Sequence, residues 1–184
     1  MKATGIVRRI DELGRVVVPK ELRRMLRLRE GDPIEIFTDR EGGVILKKYS
    51  QIREFSKFAS EYSDSLQQII GNDILISDRD NIISGSGINK KEYLEKKVSA
   101  DLEKVMEGRK TLLFVEGIMI TIPLFDDEEF DGKYSNQVIS PIISEGDVIG
   151  TVIIASREEG QKFSDLQLKL AETAALFLGK QIES

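Results

Sequence analysis

The 184-residue sequence contains no cysteine, no histidine and no tryptophan. Without cysteine it has no disulfides, thiol nucleophile or Cys-ligated metal, and without histidine it lacks the commonest general base and metal ligand. No apolar run approaches the roughly 18 to 20 residues of a membrane span, and the N-terminus lacks a signal-peptide stretch. These absences predict a cytosolic protein that needs no metal or cofactor and is not an enzyme.

Charge is divided unevenly along the chain. Residues 1–53 carry 13 Lys+Arg and 8 Asp+Glu, a net charge of +5, whereas the other 131 residues carry 14 and 24, a net −10. The arginines of the basic part are Arg8, Arg9, Arg15, Arg23, Arg24, Arg27 and Arg29. A basic head on an acidic body predicts two modules with different partners, and the head suits a polyanion such as nucleic acid.

Short strands around one short helix are predicted for the head. Strands are expected at 4–10, 16–18, 34–37 and 44–46, turns at 11–15 and 39–43, and a helix at 20–28. Pro19 suits the first helical position, and Leu22, Met25 and Leu26 share a face that should meet a core. About 50 residues bury too little apolar surface to be stable alone, so an obligate dimer is expected.

An antiparallel sheet flanked by helices, class α+β, is predicted for the body. Helices are expected at 52–70, at 89–106 with Asn89 and Glu92 as a capping box, and from Ser164 to about Ile182 with Gln167 in the cap. Strands are expected at 73–77, 82–84, 112–115, 119–124, 138–143 and 148–155. Pro123 and Pro141 indicate edge or bulged positions.

The stretch from Thr4 to Arg24, TGIVRRIDELGRVVVPKELRR, resembles the AbrB-type transition-state regulators of spore-forming bacteria. The resemblance covers about residues 1–50, and its string Asp-Glu-Leu-Gly-Arg-Val-Val-x-Pro is long and specific. It implies a swapped-hairpin β-barrel, in which two chains interleave strands, and transcriptional regulation of sporulation-stage genes by DNA binding. The implied fold agrees with the dimer expected from size alone.

The same resemblance implies that DNA is contacted by Arg8, Arg15, Arg23 and Arg24, with Lys2, Arg9, Lys20 and Arg27 as secondary candidates. A dimer doubles the first four to eight guanidiniums, which can bind phosphates or read guanine edges. The short helix favours phosphate contacts and DNA shape over a strict base code, so A·T-rich promoter sites are expected. The alternative is a solvated helix face with internal pairs such as Glu21 with Arg24.

Residues from about 55 to 184 resemble a GAF domain, a small-molecule sensor fold. The resemblance is carried by a leading helix, a central sheet, a closing helix and the segment SPIISEGDVIGTV from Ser140 to Val152. The predicted domains are therefore 1–50 and 56–184, joined by a short linker at 51–55. The second domain is expected either to be a structural dimerisation module or to sense an unidentified small ligand, and no ligand-binding residues are predicted.

Two other segments could be either ligand-binding sites or plain loops. Ser84–Gly87 could cradle a phosphate, but it lacks the Lys-Ser/Thr of a P-loop, so a plain loop is expected. The acidic run 126–131 could hold a divalent cation, but its spacing does not fit an EF-hand, so a solvated loop is expected.

The apolar stripes of the first and last body helices are typical of a domain core. Any apolar helix face that the core leaves uncovered would pair subunits into a tetramer with two heads.

Together these features predict a cytoplasmic, nucleoid-associated, DNA-binding regulator that forms homo-oligomers. A ligand bound by the body would shift the head geometry through a change in population. Three alternatives stay open: an enzyme using carboxylates of the body, an oligomeric ligand sensor, and an antitoxin-like protein whose basic head binds an acidic protein partner.

Overall fold

The computed structural model describes residues 5–115, 117–128 and 133–183, apart from the side chain of Lys90. The chain divides into two compact units between Tyr49 and Ser50, named here the N-terminal and C-terminal units. Within the described residues, no helix is both long and apolar enough to cross a membrane. The α+β class with antiparallel sheets is confirmed.

The N-terminal unit contains a short helix and a β-hairpin: α1 (Lys20–Met25), β1 (Ile34–Thr38) and β2 (Val44–Lys48). The two strands pair antiparallel from Ile34 with Lys48 to Thr38 with Val44, as the hairpin prediction required. Asp39 closes the turn, because its Oδ1 accepts the N–H groups of Glu41 and Gly43 at 2.9 and 2.7 Å. An Asp at this place is a common turn former for that reason.

The prediction of strands at 4–10 and 16–18 is wrong for the single chain. Residues 5–10 and 16–18 are not in a sheet, and Thr4 lies outside the described residues. A strand exists only where a neighbour accepts and donates its ladder hydrogen bonds. These segments therefore have the alternating apolar residues of strands. In the part of this unit that the structure describes, they have no partner strand.

Helix α1 is shorter than predicted because a left-handed residue ends it. Arg27 has φ 52°, and the N–H groups of Leu28 and Arg27 donate to the carbonyls of Arg23 and Arg24 at 2.7 and 3.3 Å. This is the hydrogen-bond pattern of a Schellman cap, which normally uses glycine. Pro19 is the N-cap residue and not the first helical residue, another correction.

The described residues of the N-terminal unit, 5–49, form no hydrophobic core of their own. None of the large hydrophobic side chains in residues 5–49 is buried, and the predicted core side of α1 is open, with Met25 and Leu26 more than half exposed. The exposed set is Ile6, Val7, Ile10, Leu13, Val16, Val17, Met25, Leu26, Ile36, Phe37, Val44 and Leu46. The expectation that Leu22, Met25 and Leu26 face a core is therefore wrong within one chain.

The C-terminal unit is built on one five-stranded antiparallel sheet in the order β4-β3-β7-β6-β5. Its elements are α2 (Gln51–Glu54), α3 (Ser56–Ile70), β3 (Asp73–Asp78), β4 (Ile82–Ser86), α4 (Lys90–Tyr93), α5 (Ala100–Gly108), β5 (Leu112–Val115), β6 (Asn136–Ser144), β7 (Asp147–Ser156) and α6 (Asp165–Ile182). The predicted cap of the last helix is confirmed, since Ser164 and Gln167 form a capping box.

Alternate residues of the central strands face opposite sides of the sheet, and each side is covered by helices. On one side Ile74, Ile76 and Ile154 pack with residues of α3 and α6. On the other side Leu75 and Ile153 pack with residues of α4 and α5. The near-continuous burial of β3 and β7 follows from this three-layer arrangement.

Both predicted long helices are divided. The helix expected at 52–70 is α2 and α3, which Phe55 separates. The helix expected at 89–106 is α4 and α5, because Ser99 starts a new helix by accepting the Leu102 N–H at 3.0 Å. Asn89 caps only the short α4, through a 3.2 Å bond from the Lys91 N–H.

The strand expected at 119–124 does not form. Ile122 has its N–H and C=O bonded to the side-chain amide of Gln137, at 2.9 and 2.8 Å. A side chain thus replaces the ladder that a neighbouring strand would supply. Pro141 does lie in a strand, in the part of β6 that extends beyond its pairing with β5 and pairs with β7 alone.

Candidate nucleic-acid interface

Helix α1 presents two adjacent arginines to solvent. Arg23 and Arg24 are exposed and lie in its last turn, where positive charge is favourable to the helix dipole. Among the residues that the structure describes, neither forms an ion pair, and the alternative pairing of Arg24 with Glu21 is not present. These two guanidiniums are therefore available to an external anion.

The turn between Asp11 and Arg15 fixes the next candidate. The Asp11 carboxylate accepts the N–H groups of Leu13 and Arg15 at 3.0 and 2.8 Å, and its Oδ2 lies 2.8 Å from Arg15 Nε. The backbone N–H of Arg15, followed by its guanidinium, holds the pKa of the Asp11 carboxyl below its ordinary value. Arg15 is exposed and keeps its remaining N–H donors for a ligand.

The other candidates differ in exposure. Arg8, Arg9 and Lys20 are exposed, and Arg27 is half-buried at the left-handed end of α1. Lys2 lies outside the described residues. The structure thus places Lys20, Arg23 and Arg24 on one helix, with Arg27 just after it. Arg8, Arg9 and Arg15 lie on the chain before the helix, and no described side-chain contact joins them to it.

Lys48 is a basic residue whose role the sequence did not reveal. Its Nζ lies 3.1 Å from Asp32 Oδ2 and donates to the Arg27 carbonyl at 3.2 Å. Asp32 also accepts the Arg29 N–H at 2.7 Å. Lys48 therefore ties the end of β2 to the segment after α1, and this charge serves the fold of the N-terminal unit.

The segment Ser84–Gly87 is neither a phosphate cradle nor a plain loop. Ser84, Gly85 and Ser86 belong to the edge strand β4 and pair with β3, so this stretch is extended and does not form a loop around an anion. Tyr93 donates its hydroxyl to the Gly85 carbonyl at 2.6 Å. Burial, followed by the charges of Asp64 and Asp73, raises the pKa of Tyr93 to about 12, so this donor keeps its proton.

The acidic run is not simply a solvated loop. Its described residues are 126–128, and the side chain of Glu128 is fully buried. The Glu128 carboxylate accepts the Leu124 N–H at 2.6 Å and the Tyr134 hydroxyl at 2.7 Å, and it pairs with Lys133 at 2.8 Å. Among the described residues, no group of three or more acidic side chains is placed to hold a metal ion. Glu128 is thus a structural anchor that charge patterning did not distinguish from its neighbours.

Comparison with known proteins identifies the family. Residues 54–183 match the family model described as stage V sporulation protein T C-terminal, transcription factor. Stage V sporulation protein T of Bacillus subtilis (strain 168) is 49% identical over 183 residues, which cover 100% of this chain and 99% of the relative. The chain belongs to the stage V sporulation protein T family. That family is one of transcription factors, so the predicted class of regulator is confirmed.

Each of the two units is also similar to further proteins. Transition state regulatory protein AbrB of Bacillus subtilis (strain 168) is 47% identical over 77 residues, 42% of this chain and 78% of the relative. Residues 7–54 match the model for the MazE bacterial antitoxin, antidote-toxin recognition. The GAF domain of an Acinetobacter phosphoenolpyruvate-protein phosphotransferase has a TM-score of 0.56 at 13% identity, over 73% of this chain and 83% of that one. The AbrB resemblance and the GAF-like fold are confirmed.

Proposed function

We propose that this chain regulates sporulation-stage genes by binding DNA through its N-terminal unit. The observation that carries the proposal is the exposed, unpaired Arg23 and Arg24 on α1, together with the exposed Arg15 of the preceding turn. Residues 1–50 form the DNA-binding domain, 51–55 a linker and 56–184 the GAF-like domain. The protein works in the cytoplasm at the nucleoid, and the proposal assigns no catalytic step to either domain.

A swapped-hairpin dimer of this domain is supported by its missing core. Twelve large hydrophobic side chains of the N-terminal unit are exposed in the single chain. A domain of about 50 residues without disulfide or metal needs nearly all of its apolar surface buried to be stable. A second copy supplies both the missing core and partner strands for residues 5–10 and 16–18.

Dimerisation turns four arginines into eight, namely two copies of Arg8, Arg15, Arg23 and Arg24. Lys2, Arg9, Lys20 and Arg27 are secondary contacts. Because α1 has only six residues, the contacts are mainly with phosphates, and preference arises from DNA shape. A·T-rich promoter sites have a narrow minor groove that attracts arginine, so these are the proposed targets.

A salt titration of the wild-type protein tests this proposal. Fluorescence anisotropy with a labelled A·T-rich duplex is expected to give a log K against log[salt] slope of about −7, from roughly 0.9 per phosphate for eight contacts. A G·C-rich duplex of equal length is the control and should bind more weakly with a similar slope. Absence of binding at low salt would favour the alternative, an antitoxin-like or ligand-sensing oligomer whose basic domain binds an acidic protein.

A second interface, between C-terminal units, would give a tetramer with two DNA-binding dimers. The ring of Phe177 lies 5.7 and 5.6 Å from the rings of Phe58 and Tyr62, which joins α6 to α3. Phe177 is still 39% exposed, and Leu176 beside it is 60% exposed. An apolar strip on two long helices suits a helical bundle between subunits.

Leu176→Lys is expected to convert the tetramer to a dimer, because a lysine buried in that bundle would lose its hydration without a partner. Size-exclusion chromatography with light scattering measures the change, from four to two times the 20.7 kDa chain mass. Ile118→Lys is the matched control, since it charges an exposed aliphatic residue outside both helices. A wild-type dimer, or a tetramer that survives Leu176→Lys, would refute this interface.

The GAF-like domain is proposed to bind a small ligand that favours one arrangement of the DNA-binding dimers over another. Such a ligand must differ in affinity for the two arrangements, since equal affinity shifts no population. The likeness to GAF structures supports the fold only. The support for ligand binding comes from a polar cavity in this domain.

A further inference from the structure

A cavity of about 370 Å³ lies in the C-terminal unit where three chain segments meet. The segments follow α3, β4 and β7, and they contribute Asn72 and Asp73, Gly87, and Arg157 and Gln161. Polar side chains dominate this cavity, unlike the two apolar faces of the sheet. DNA binding and subunit pairing make no use of these groups.

Asp73 offers an acceptor at the cavity wall. Its Oδ2 lies 3.2 Å from Arg157 Nε, and the side chain is only 15% exposed. Its Oδ1 lies beside Gly87, where an added Cβ would come within 2.6 Å of that oxygen. Gly87 has φ +94°, so a side chain is disfavoured there and none covers Oδ1 from that position.

Asn72 offers a second acceptor. The residue is 3% exposed, and its Nδ2 donates to Gln161 Oε1 at 2.9 Å. Within the described part of the chain its buried Oδ1 has no hydrogen-bond partner. A buried acceptor left unsatisfied costs about 1–3 kcal/mol, so the site favours a ligand that brings N–H donors.

The electrostatics of the cavity favour a cation. Helix α3 ends at Gly71, which lines the cavity, and no basic residue in its last turn offsets the negative end of the helix dipole. Arg157 is the cation at the wall, but it is shared between Asp73 and Glu92, at 3.2 and 3.7 Å. Burial raises the pKa of Asp73 above its ordinary value against the opposing charges of Arg157 and Lys133.

We infer that this cavity binds a small ligand with a primary ammonium group, which donates to Asp73 Oδ1 and Asn72 Oδ1. An alkylammonium supplies the positive charge and the N–H donors that these groups lack. The volume accommodates a molecule of several heavy atoms. The inference deepens the ligand-binding part of the proposed function and rests on it, but it does not depend on DNA binding.

Isothermal titration of the full-length protein with n-butylammonium tests the site. Saturable binding with a Kd on the order of 1 mM is expected, and 1-butanol, which has the same chain without the charge, should not bind. Asp73→Asn is expected to weaken binding at least tenfold. The control Asp147→Asn, which removes a carboxylate from the exposed first residue of β7 outside the cavity, should leave the Kd unchanged.

If Asp73→Asn does not fold, titration of the wild-type protein with tetramethylammonium at equal ionic strength replaces that variant as the test. This cation carries the charge without N–H donors, so it should bind the wild type at least tenfold more weakly than n-butylammonium. Equal binding of the two cations, equal weakening by both Asp variants, or no saturable heat up to about 10 mM would overturn the inference. DNA affinity of Asp73→Asn without amine should equal that of wild type, which separates failure of this site from failure of the regulator proposal.

Discussion

Glu128→Gln is expected to lower the free energy of unfolding of the C-terminal unit by about 3 kcal/mol. The substitution leaves Lys133 Nζ without the charge it meets at 2.8 Å and leaves the Leu124 N–H facing an amide in place of a carboxylate oxygen. Removing one partner of a buried pair costs about 3–5 kcal/mol, and the lower end applies because Lys133 remains 22% exposed. Burial, followed by the charge of Glu128, raises the pKa of Tyr134, so the phenol remains a donor to this site.

Urea unfolding followed by tyrosine fluorescence measures this loss, since Tyr62, Tyr93 and Tyr134 lie in the C-terminal unit. Glu107→Gln is the control at an exposed position of α5 and should change stability by less than about 0.5 kcal/mol. Lys133→Gln added to Glu128→Gln should cost much less than the sum of the single changes, because the stranded charge is removed as well. Equal unfolding midpoints for Glu128→Gln and Glu107→Gln would show that the carboxylate does not anchor this loop.

The C-terminal sheet and its last helix could be predicted because local and tertiary signals agree there. Strand β7 differs from its predicted range, 148–155, by one residue at each end, since its apolar run is buried on both faces. The Ser164 and Gln167 capping box starts α6 where the spacing placed it. The strand expected at 119–124 failed because the Gln137 side chain, on another segment, takes the backbone bonds of Ile122.

The N-terminal unit shows a different limit of prediction from the sequence. The apolar alternation around Val7 and Val17 is typical of strands, yet these residues lie unpaired and exposed in one chain. The apolar alternation of a sequence indicates that a segment tends to pair as a strand. It does not indicate which chain supplies the partner strand. The same size argument that predicts a dimer also explains why the single chain lacks these strands.

The two candidate sites were accessible to sequence reasoning to different degrees. The arginines of the N-terminal unit are predicted by one continuous segment of sequence that resembles a known family. The cavity proposed to bind an ammonium group gave no such signal, because Asp73 and Arg157 are distant in the chain. They meet only when β3 pairs with β7, with Asp73 opposite Ala155. That register places Arg157 two residues beyond the pair, within 3.2 Å of the carboxylate.

Arg23→Ala/Arg24→Ala is expected to reduce the affinity for an A·T-rich duplex roughly a thousandfold at about 0.1 M salt. In a dimer the double substitution removes four of eight phosphate contacts, and each contributes about 0.9 to the salt slope, so the slope should fall from about −7 to about −4. Anisotropy titrations at several salt concentrations give both quantities. Lys104→Ala/Lys110→Ala removes the same charge from exposed positions of the C-terminal unit and should leave the slope unchanged.

Arg23→Lys/Arg24→Lys separates the two ways in which these side chains can act on DNA. Lysine keeps the charge that a phosphate requires but loses the planar fork that reads a guanine edge. A retained slope with retained preference for the A·T-rich duplex is expected, because α1 is too short to enter the groove as a reading helix. A retained slope with lost preference would show that the planar guanidinium, and not its charge alone, sets the preference for the A·T-rich duplex. An unchanged slope in the alanine variant would move the phosphate contacts away from α1, to Arg8 and Arg15 on the preceding chain.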